Sequence, residues 1–174
     1  MSLPLDLVVV PLDREYHQRD GFVCGNTVLD RYLVAQAGQD LARGVAAVFV
    51  AMRRGDPSVL GYYTLSQASV PLSDLPRAQQ KRLPRYPNVP VTLLGRLAVH
   101  REWHGQGLGA LLLGDALRRV TEVARQVAST GLLVDAIDDA AVAFYAKFGF
   151  VAFVESPSRL FLPLPPVSVL NRRA

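Results

Sequence analysis

Leu93-Leu94-Gly95-Arg96-Leu97-Ala98-Val99-His100-Arg101-Glu102-Trp103-His104-Gly105-Gln106-Gly107-Leu108-Gly109-Ala110-Leu111-Leu112-Leu113 is the stretch on which the reading of this chain turns. An apolar, β-type run ends near Val99, a short connector follows, glycines take positions 105, 107 and 109, and a helical pattern starts at once. Glycines at alternate positions strip the Cβ atoms from one side of a loop. Backbone N–H groups can then converge on an anion, and the dipole of the following helix adds to the attraction. Such a loop suits a pyrophosphate.

Three readings compete for the glycines. Gly105-x-Gly107-x-x-Ala110 fits the permissive dinucleotide-binding fingerprint. That fingerprint wants glycines directly after the strand, early in the chain, with a second βαβ half to follow. Here the loop lies past the middle of the chain, several residues beyond the strand. A loop that only turns the chain needs one or two glycines. The third reading takes His104-x-x-Gly107-x-Gly109, between a strand and a helix. It resembles the acetyl-CoA loop of the GNAT acetyltransferase superfamily, Gln/Arg-x-x-Gly-x-Gly/Ala, with His104 where Gln or Arg is usual.

The 174 residues suffice for one domain with a proper core. With 50% hydrophobic and 20% charged residues the composition is that of a soluble globular protein. No apolar run approaches the roughly 18 residues of a membrane helix. Met1–Asp6 lacks the basic-then-apolar order of a signal peptide. Cys24 is the single cysteine, and no Cys/His cluster has metal-ligand spacing, so neither a disulfide nor a metal is expected. A cytoplasmic protein without membrane contact follows. The net charge of +4 is modest, but its distribution is uneven. No acid occurs between Asp74 and Glu102, where Arg77, Lys81, Arg82, Arg85, Arg96 and Arg101 all fall. The segment is either a solvated basic loop or a contact for a phosphate-bearing partner.

Along the chain, Leu5–Val10 reads as a strand closed by Pro11. Asn26 caps a helix with Val28, Leu29, Tyr32 and Leu33 on one face. Ala46–Met52 and Val59–Val70 form a hairpin about a Gly/Pro turn. Prolines at 71, 76, 84, 87 and 90 break the pattern, around a short helix over Leu75–Leu83 started by Ser73 or Asp74. Val91–Val99 is the central strand. The helix from Gly107 to about Ala128 carries Leu113, Leu117, Val120, Ala124 and Val127 as its stripe. Leu132–Ile137 is a buried strand. Asp138 or Asp139 caps a helix ended by Gly149, and Phe150–Val154 and Arg159–Leu162 are the last strands.

A second motif, Asp138-x-x-Ala141-x-x-Phe144-Tyr145-x-x-Phe148-Gly149-Phe150, is similar to the GNAT segment Asn-x-x-Ala-x-x-Phe-Tyr-x-x-x-Gly-Phe. Phe22-x-Cys24-Gly25-Asn26-x-x-Leu29-Asp30-x-Tyr32-Leu33, Gly61-Tyr62-Tyr63-Thr64-Leu65-Ser66 and Leu94-Gly95-Arg96-Leu97-Ala98-Val99 narrow the likeness. So does Val134-Asp135-Ala136-x-Asp138-Asp139. Together they resemble the acetyltransferase toxins of bacterial toxin–antitoxin modules, over roughly Leu5 to Leu162. The resemblance implies an α+β GNAT fold: one domain over residues 1–162, a mixed, mostly antiparallel central sheet flanked by helices, and a tail over 163–174. It implies acetyl-CoA as co-substrate and transfer to the α-amino group of an aminoacyl-tRNA, which blocks translation. It further implies a cognate antitoxin of ribbon-helix-helix type and a homodimer.

The same resemblance assigns roles. Tyr145 is the general acid. Backbone groups of Leu97, Ala98 and Val99 pair with the pantetheine arm. His104, Gly105, Gln106, Gly107, Leu108, Gly109 and Ala110 take the pyrophosphate. Asp138, as the Asn replacement, and Phe144 touch the cofactor, although Asp138 serves equally as a helix cap. The acid-free basic segment, rather than the resemblance, supplies candidates for the tRNA phosphates: Arg77, Lys81, Arg82 and Arg85, with Arg96 and Arg101 beside them.

One inference about the acceptor rests on the residues alone. Neither Val59–Val70 nor Val91–Val99 holds an Asp or Glu. A lysine, with pKa ~10.4, is almost wholly protonated at neutral pH and would benefit from a carboxylate base, whereas an α-amine at ~7.7–8.0 is partly neutral already. The absence of acid favours an α-amine. Two alternatives remain open from the sequence: a GNAT enzyme for a small amine or protein N-terminus, and a CoA-binding regulatory module without turnover.

Overall fold

The computed structural model describes residues 3–166. The chain forms two compact units, residues 3–66 with 95–116 and residues 67–94 with 117–166. Strands β3 (Gly61–Pro71) and β4 (Asn88–Val99) and helix α4 (Leu108–Val123) each contribute to both.

In the first unit, β1 (Leu7–Pro11) pairs antiparallel with β2 (Ala47–Arg53) from Leu7↔Arg53 to Pro11↔Phe49. β2 pairs antiparallel with β3 from Ala47↔Leu65 to Ala51↔Gly61, the expected hairpin. Gly61 lies beside Ala98 and Thr64 beside Gly95, so β4 descends as β3 climbs. A Cβ on Gly61 would sit 2.9 Å from Leu112 Cδ1 and 3.0 Å from the Ala98 carbonyl. Only glycine lets α4 lie so close to the strand. Leu112 is fully buried, and its truncation to Ala would cost about 2–5 kcal/mol.

Asn26 caps α1 (Thr27–Arg31), its side chain accepting from the N–H groups of Val28 and Leu29. The helix then slips into a π turn over Tyr32–Gln36 before resuming as α2 (Ala37–Ala42). At the slip, the hydroxyl of fully buried Tyr62 donates to the Leu29 carbonyl at 2.8 Å. A side chain inserted into the helical ladder is a recognised cause of such a slip. Leu29, Tyr32 and Leu33 join Phe22, Val48, Val50 and Tyr62 in the core, but Val28 is 72% exposed, against the face expected for it.

In the second unit, β4 pairs in parallel with β5 (Gly131–Asp135) from Thr92↔Leu132 to Leu94↔Val134, α4 being the crossover a parallel pair requires. β5 pairs antiparallel with β7 (Arg159–Pro163), which carries the two-residue β6 (Val151–Ala152) on its far side. The seven strands run in the order β1-β2-β3-β4-β5-β7-β6, a mixed and mostly antiparallel sheet. Val70, Val89, Val91, Leu133, Phe153 and Phe161 are buried together here.

Several expected boundaries move. The helix proposed over Leu75–Leu83 shrinks to α3 (Arg77–Gln80), after a 3-10 turn at Leu72–Asp74. Neither Ser73 nor Asp74 caps it, because Pro76 holds Leu75 extended (ψ 157°) and no helix can start before the proline. α4 ends at Val123, and its buried stripe is Leu108, Leu112, Leu113, Ala116, Val120 and Ala124. Val127 is exposed beyond its end, and so is Ile137 beyond β5. The tail expected over 163–174 lies, from residue 167, outside the described residues.

Candidate active site

The first unit carries the glycine loop. β4 ends at Val99, a 3-10 turn covers Arg101–Trp103, and Gly105 (φ +71°) and Gly107 (φ +88°) turn the chain through the left-handed region into α4. The loop is held from outside: the His100 N–H donates to the Leu60 carbonyl and the Arg101 N–H to the Val23 carbonyl, both at 2.8 Å. Gln106 Nε2 donates to the Glu102 carbonyl at 2.8 Å. Leu111 is the first residue after His104 whose backbone N–H finds a carbonyl, that of Gly107. Among the described residues, no backbone N–H from Gly105 to Ala110 donates to a protein group. A helix leaves its first amides unpaired in any case. Here the run extends back through two left-handed glycines, the conformation in which successive amides can line one side of a bend. These residues fit a diphosphate.

His104 is part of the loop but does not offer its side chain to that bend. Its Nε2 lies 2.8 Å from the Val99 carbonyl. A carbonyl only accepts, so Nε2 carries the proton in this bond. The imidazole thus closes the connector between the end of β4 and the glycines, and the His104 N–H is taken by the Arg101 carbonyl at 3.3 Å, so the free donors expected to start at His104 start at Gly105.

Asp138, Phe144 and Tyr145 belong to the second unit. Asp138 caps α5 (Asp139–Lys147), its Oδ1 accepting from the Ala141 N–H at 2.7 Å, and Gly149 (φ +88°) ends the helix. Tyr145 is 7% exposed, its ring packed edge-on against Phe144 at 5.2 Å and tilted against Phe150 at 5.3 Å. Its hydroxyl has no hydrogen-bond partner among the described residues. No sealed side-chain oxygen or nitrogen among those residues lacks a partner, so this hydroxyl is not sealed. The ring is core and the oxygen is open. Burial raises the phenol's pKa well above the usual tyrosine value, so the proton stays on the oxygen throughout the neutral range.

Arg77, Lys81, Arg82 and Arg85 are all exposed on α3 and the loop after it, and no carboxylate of the described residues pairs with them. Two of them, Lys81 and Arg85, border a recess of about 920 Å³ lined also by Tyr86, Gln80, Ser73 and Leu72 among others. Arg96, in the first unit, has different company. It is half-buried on β4, and its guanidinium lies 3.6 Å above the centre of the Tyr32 ring. Tyr32 in turn donates to Asp40 at 2.9 Å, and Gln36 Nε2 donates to the same carboxylate at 2.9 Å. The Gln36 bond, with help from Tyr32 and Arg96, holds Asp40 below the usual carboxylate range. Burial and the Asp40 bond push Tyr32 up to about 12.

Arg96 and Tyr32 line a pocket of about 340 Å³ with Thr27, Arg31 and Gln36. Arg31, Tyr32 and Gln36 as pocket residues escaped the sequence reading. They lie on the π turn or directly before it, and a one-residue slip leaves no periodicity signal in so short a helix. Among the described residues no cluster of His, Cys, Asp or Glu could hold a metal ion, and no helix is long and apolar enough to cross a membrane.

The chain resembles known proteins over most of its length. It is 38% identical to the tRNA-acetylating toxin of Mycobacterium tuberculosis (strain ATCC 25618 / H37Rv), over 81% of this chain and 82% of that protein. Its structure matches AtaT complexed with acetyl-methionyl-tRNAfMet at a TM-score of 0.86 and 31% identity, over 95% of this chain and 99% of that one. It also matches a mutant AtaT toxin bound to the C-terminus of the antitoxin AtaR and acetyl-CoA, at a TM-score of 0.80 and 28% identity, over 95% and 98% of the two chains. The model of the acetyltransferase (GNAT) domain matches residues 44–152, which contain the glycine loop, the connector closed by His104 and Tyr145. With that span and those relatives, the chain belongs to the GNAT acetyltransferase family.

Proposed function

We propose that this protein is a toxin that transfers the acetyl group of acetyl-CoA to the α-amino group of an aminoacyl-tRNA and so stops translation. The observation that carries the reading is the unbroken run of unpaired amides from Gly105 to Ala110, which suits the diphosphate of CoA. The tRNA as acceptor rests on the likeness to the M. tuberculosis enzyme and on the four unpaired cations of the second unit.

Acetyl-CoA supplies the acyl group as a thioester. The chain's own residues bind, orient and move a proton. Gly105 to Ala110 hold the diphosphate through backbone N–H groups, with His104 bracing the connector before them. The peptide groups of Leu97, Ala98 and Val99 extend β4 past Leu94, where its register with β5 ends. They align the pantetheine arm as an added strand. When the amine attacks and the C–S bond breaks, Tyr145 donates a proton from its open hydroxyl to the departing sulfur, and the proton lost by the amine passes to solvent, from which the phenol is restored. Phe144 packs the ring that carries that hydroxyl. Asp138 acts by capping α5 beneath it. No carboxylate base is assigned, because an α-amine is already partly neutral.

The partner that restrains the toxin is a cognate antitoxin of ribbon-helix-helix type, the active form is a homodimer, and the compartment is the cytoplasm. The test is incubation of the purified protein with labelled acetyl-CoA and a mixture of charged tRNAs. Label is expected in charged and not in uncharged tRNA, and in the aminoacyl moiety after mild deacylation. Label on free amines or protein N-termini but not on charged tRNA would refute the substrate assignment.

A further inference from the structure

The recess bordered by Lys81 and Arg85 contains a group that phosphate attraction leaves without a role. Tyr86 is 65% exposed, the most exposed aromatic ring among the described residues, and neither its ring nor its hydroxyl has a partner there. An aromatic side chain held in water forgoes the burial that stabilises such rings elsewhere. The segment around it is built rather than loose. Gln80 Nε2 donates to the carbonyls of Ser73 (2.9 Å) and Leu75 (2.7 Å), closing one side of the recess. The Leu72 N–H donates to the Pro87 carbonyl at 3.0 Å, and the Tyr86 N–H to the Pro84 carbonyl at 2.8 Å. Prolines 84 and 87 fix φ on both sides of the ring. Lys81 and Arg85 share the recess with it, without a carboxylate partner among the described residues.

We infer that this recess binds an unpaired RNA nucleotide, its base stacked on Tyr86 and its phosphates held by Lys81 and Arg85. The inference deepens the tRNA reading above and rests on it for the identity of the RNA. A base-paired stem presents phosphates and no open base face, so it would use the cations and leave the ring idle. An unpaired nucleotide presents both, and the pairing of an aromatic platform with a basic groove is how single strands are held. The single-stranded end that carries the amino acid is the part of a charged tRNA with that chemistry.

The test uses the full chain and two labelled RNA probes with equal numbers of phosphates, a short single strand and a blunt duplex. Binding is measured for the wild type, Tyr86→Ala, Tyr86→Phe and Arg85→Gln, after thermal melting has shown that each variant folds. Base–aromatic stacking is lost roughly tenfold or more on alanine substitution. Tyr86→Ala is therefore expected to weaken the single strand about tenfold and leave the duplex unchanged, with Tyr86→Phe close to wild type. Arg85→Gln is expected to weaken both probes and to flatten the salt dependence by about one ion. Equal effects of Tyr86→Ala on both probes, no effect on either, or a loss in Tyr86→Phe as large as in Tyr86→Ala would overturn the inference. So would a poly-glutamate peptide that displaces the single strand and itself depends on Tyr86, since the occupant would then be an acidic polypeptide. Absence of acetyl transfer to charged tRNA by the wild type, with Tyr86-dependent binding intact, would sink the substrate assignment and not the stacking site.

Discussion

Replacing Tyr145 with phenylalanine removes one oxygen from a ring whose packing stays. The contacts at 5.2 Å to Phe144 and 5.3 Å to Phe150 involve the ring and survive the change. The hydroxyl gives up no hydrogen bond, because it has none among the described residues. A bonded hydroxyl would take about 0.5–1.5 kcal/mol with it. Here the stability change should stay within about 0.5 kcal/mol, or roughly 2 °C in melting temperature for a chain of this size. The chemical step should respond on a different scale. A positioned general acid is worth about 10²–10⁴ in rate, or ~2.7–5.4 kcal/mol of barrier. The assay is single-turnover acetylation of charged tRNA beside calorimetric titration of acetyl-CoA. Expected are a kcat lower by at least about a hundredfold, unchanged acetyl-CoA affinity and an unchanged melting point. Turnover within twofold of wild type would remove Tyr145 as the acid; a large drop in melting temperature would mean that its hydroxyl bears structural load. The pH profile adds a second check. The protonated phenol is the competent form, and burial raises its pKa. The descending limb due to this group must therefore lie above the ordinary tyrosine value of ~10.

Gly107→Ala places a Cβ at φ +88°, and should cost about 1–2 kcal/mol in stability while weakening acetyl-CoA far more than that strain alone predicts. Comparing the melting-temperature loss with the calorimetric affinity separates the two. Exchanging both Arg82 and Arg85 for glutamine should raise KM for charged tRNA and reduce its salt slope by about one to two ions, with acetyl-CoA affinity untouched; equal losses on both substrates would point to misfolding. Asp138→Ala removes the acceptor 2.7 Å from the Ala141 N–H and should lower stability by about 0.5–2 kcal/mol, whereas Asp138→Asn keeps the cap and should melt near wild type. The phenols of Tyr32, Tyr62 and Tyr145 are all raised, chiefly by burial. In the unfolded chain they ionise near ~10. Their contribution to stability is therefore complete below that pH and is lost as pH rises through their folded values. Absorbance titration should show at least three of the six tyrosines ionising only as the chain unfolds.

The glycine loop and the cap of α5 were legible in the sequence because each is a local device. Alternate glycines announce amides free to meet an anion, and Asp138 three residues before Ala141 announces a cap. The strands and the β2–β3 hairpin followed from alternation and turn signals, whereas their order in the sheet did not. What periodicity could not show was any feature set by a distant partner. Val28 belongs to the helical stripe by spacing, but the π turn that begins four residues later, beside the Tyr62 hydroxyl on β3, rearranges that stretch. The pocket around Arg96 is lined from that same turn and from β4, two stretches far apart in sequence. His104 reads as one more member of the anion loop, and only the fold shows its ring turned back 2.8 Å onto the Val99 carbonyl. The helix expected from Leu75 failed for a local reason that was visible, Pro76, whose effect on the residue before it outweighs the helical spacing.

The absence of an acid from β3 and β4 takes on more meaning with side chains in place. Asp115 is a carboxylate that α4 directs at β3, and the hydroxyl of fully buried Tyr63 donates to it at 2.6 Å. That bond commits the carboxylate to the strand. Asp40 is likewise committed, to Tyr32 and Gln36. The first unit therefore sets a stacking ring and hydrogen-bond donors beside Arg96, and commits Asp40 and Asp115 to structure. Such an arrangement suits an acceptor that arrives with its amine already partly neutral. A lysine would need about three decades of deprotonation at neutral pH, and no uncommitted carboxylate stands on these strands to provide it. The α-amine of an aminoacyl ester needs far less.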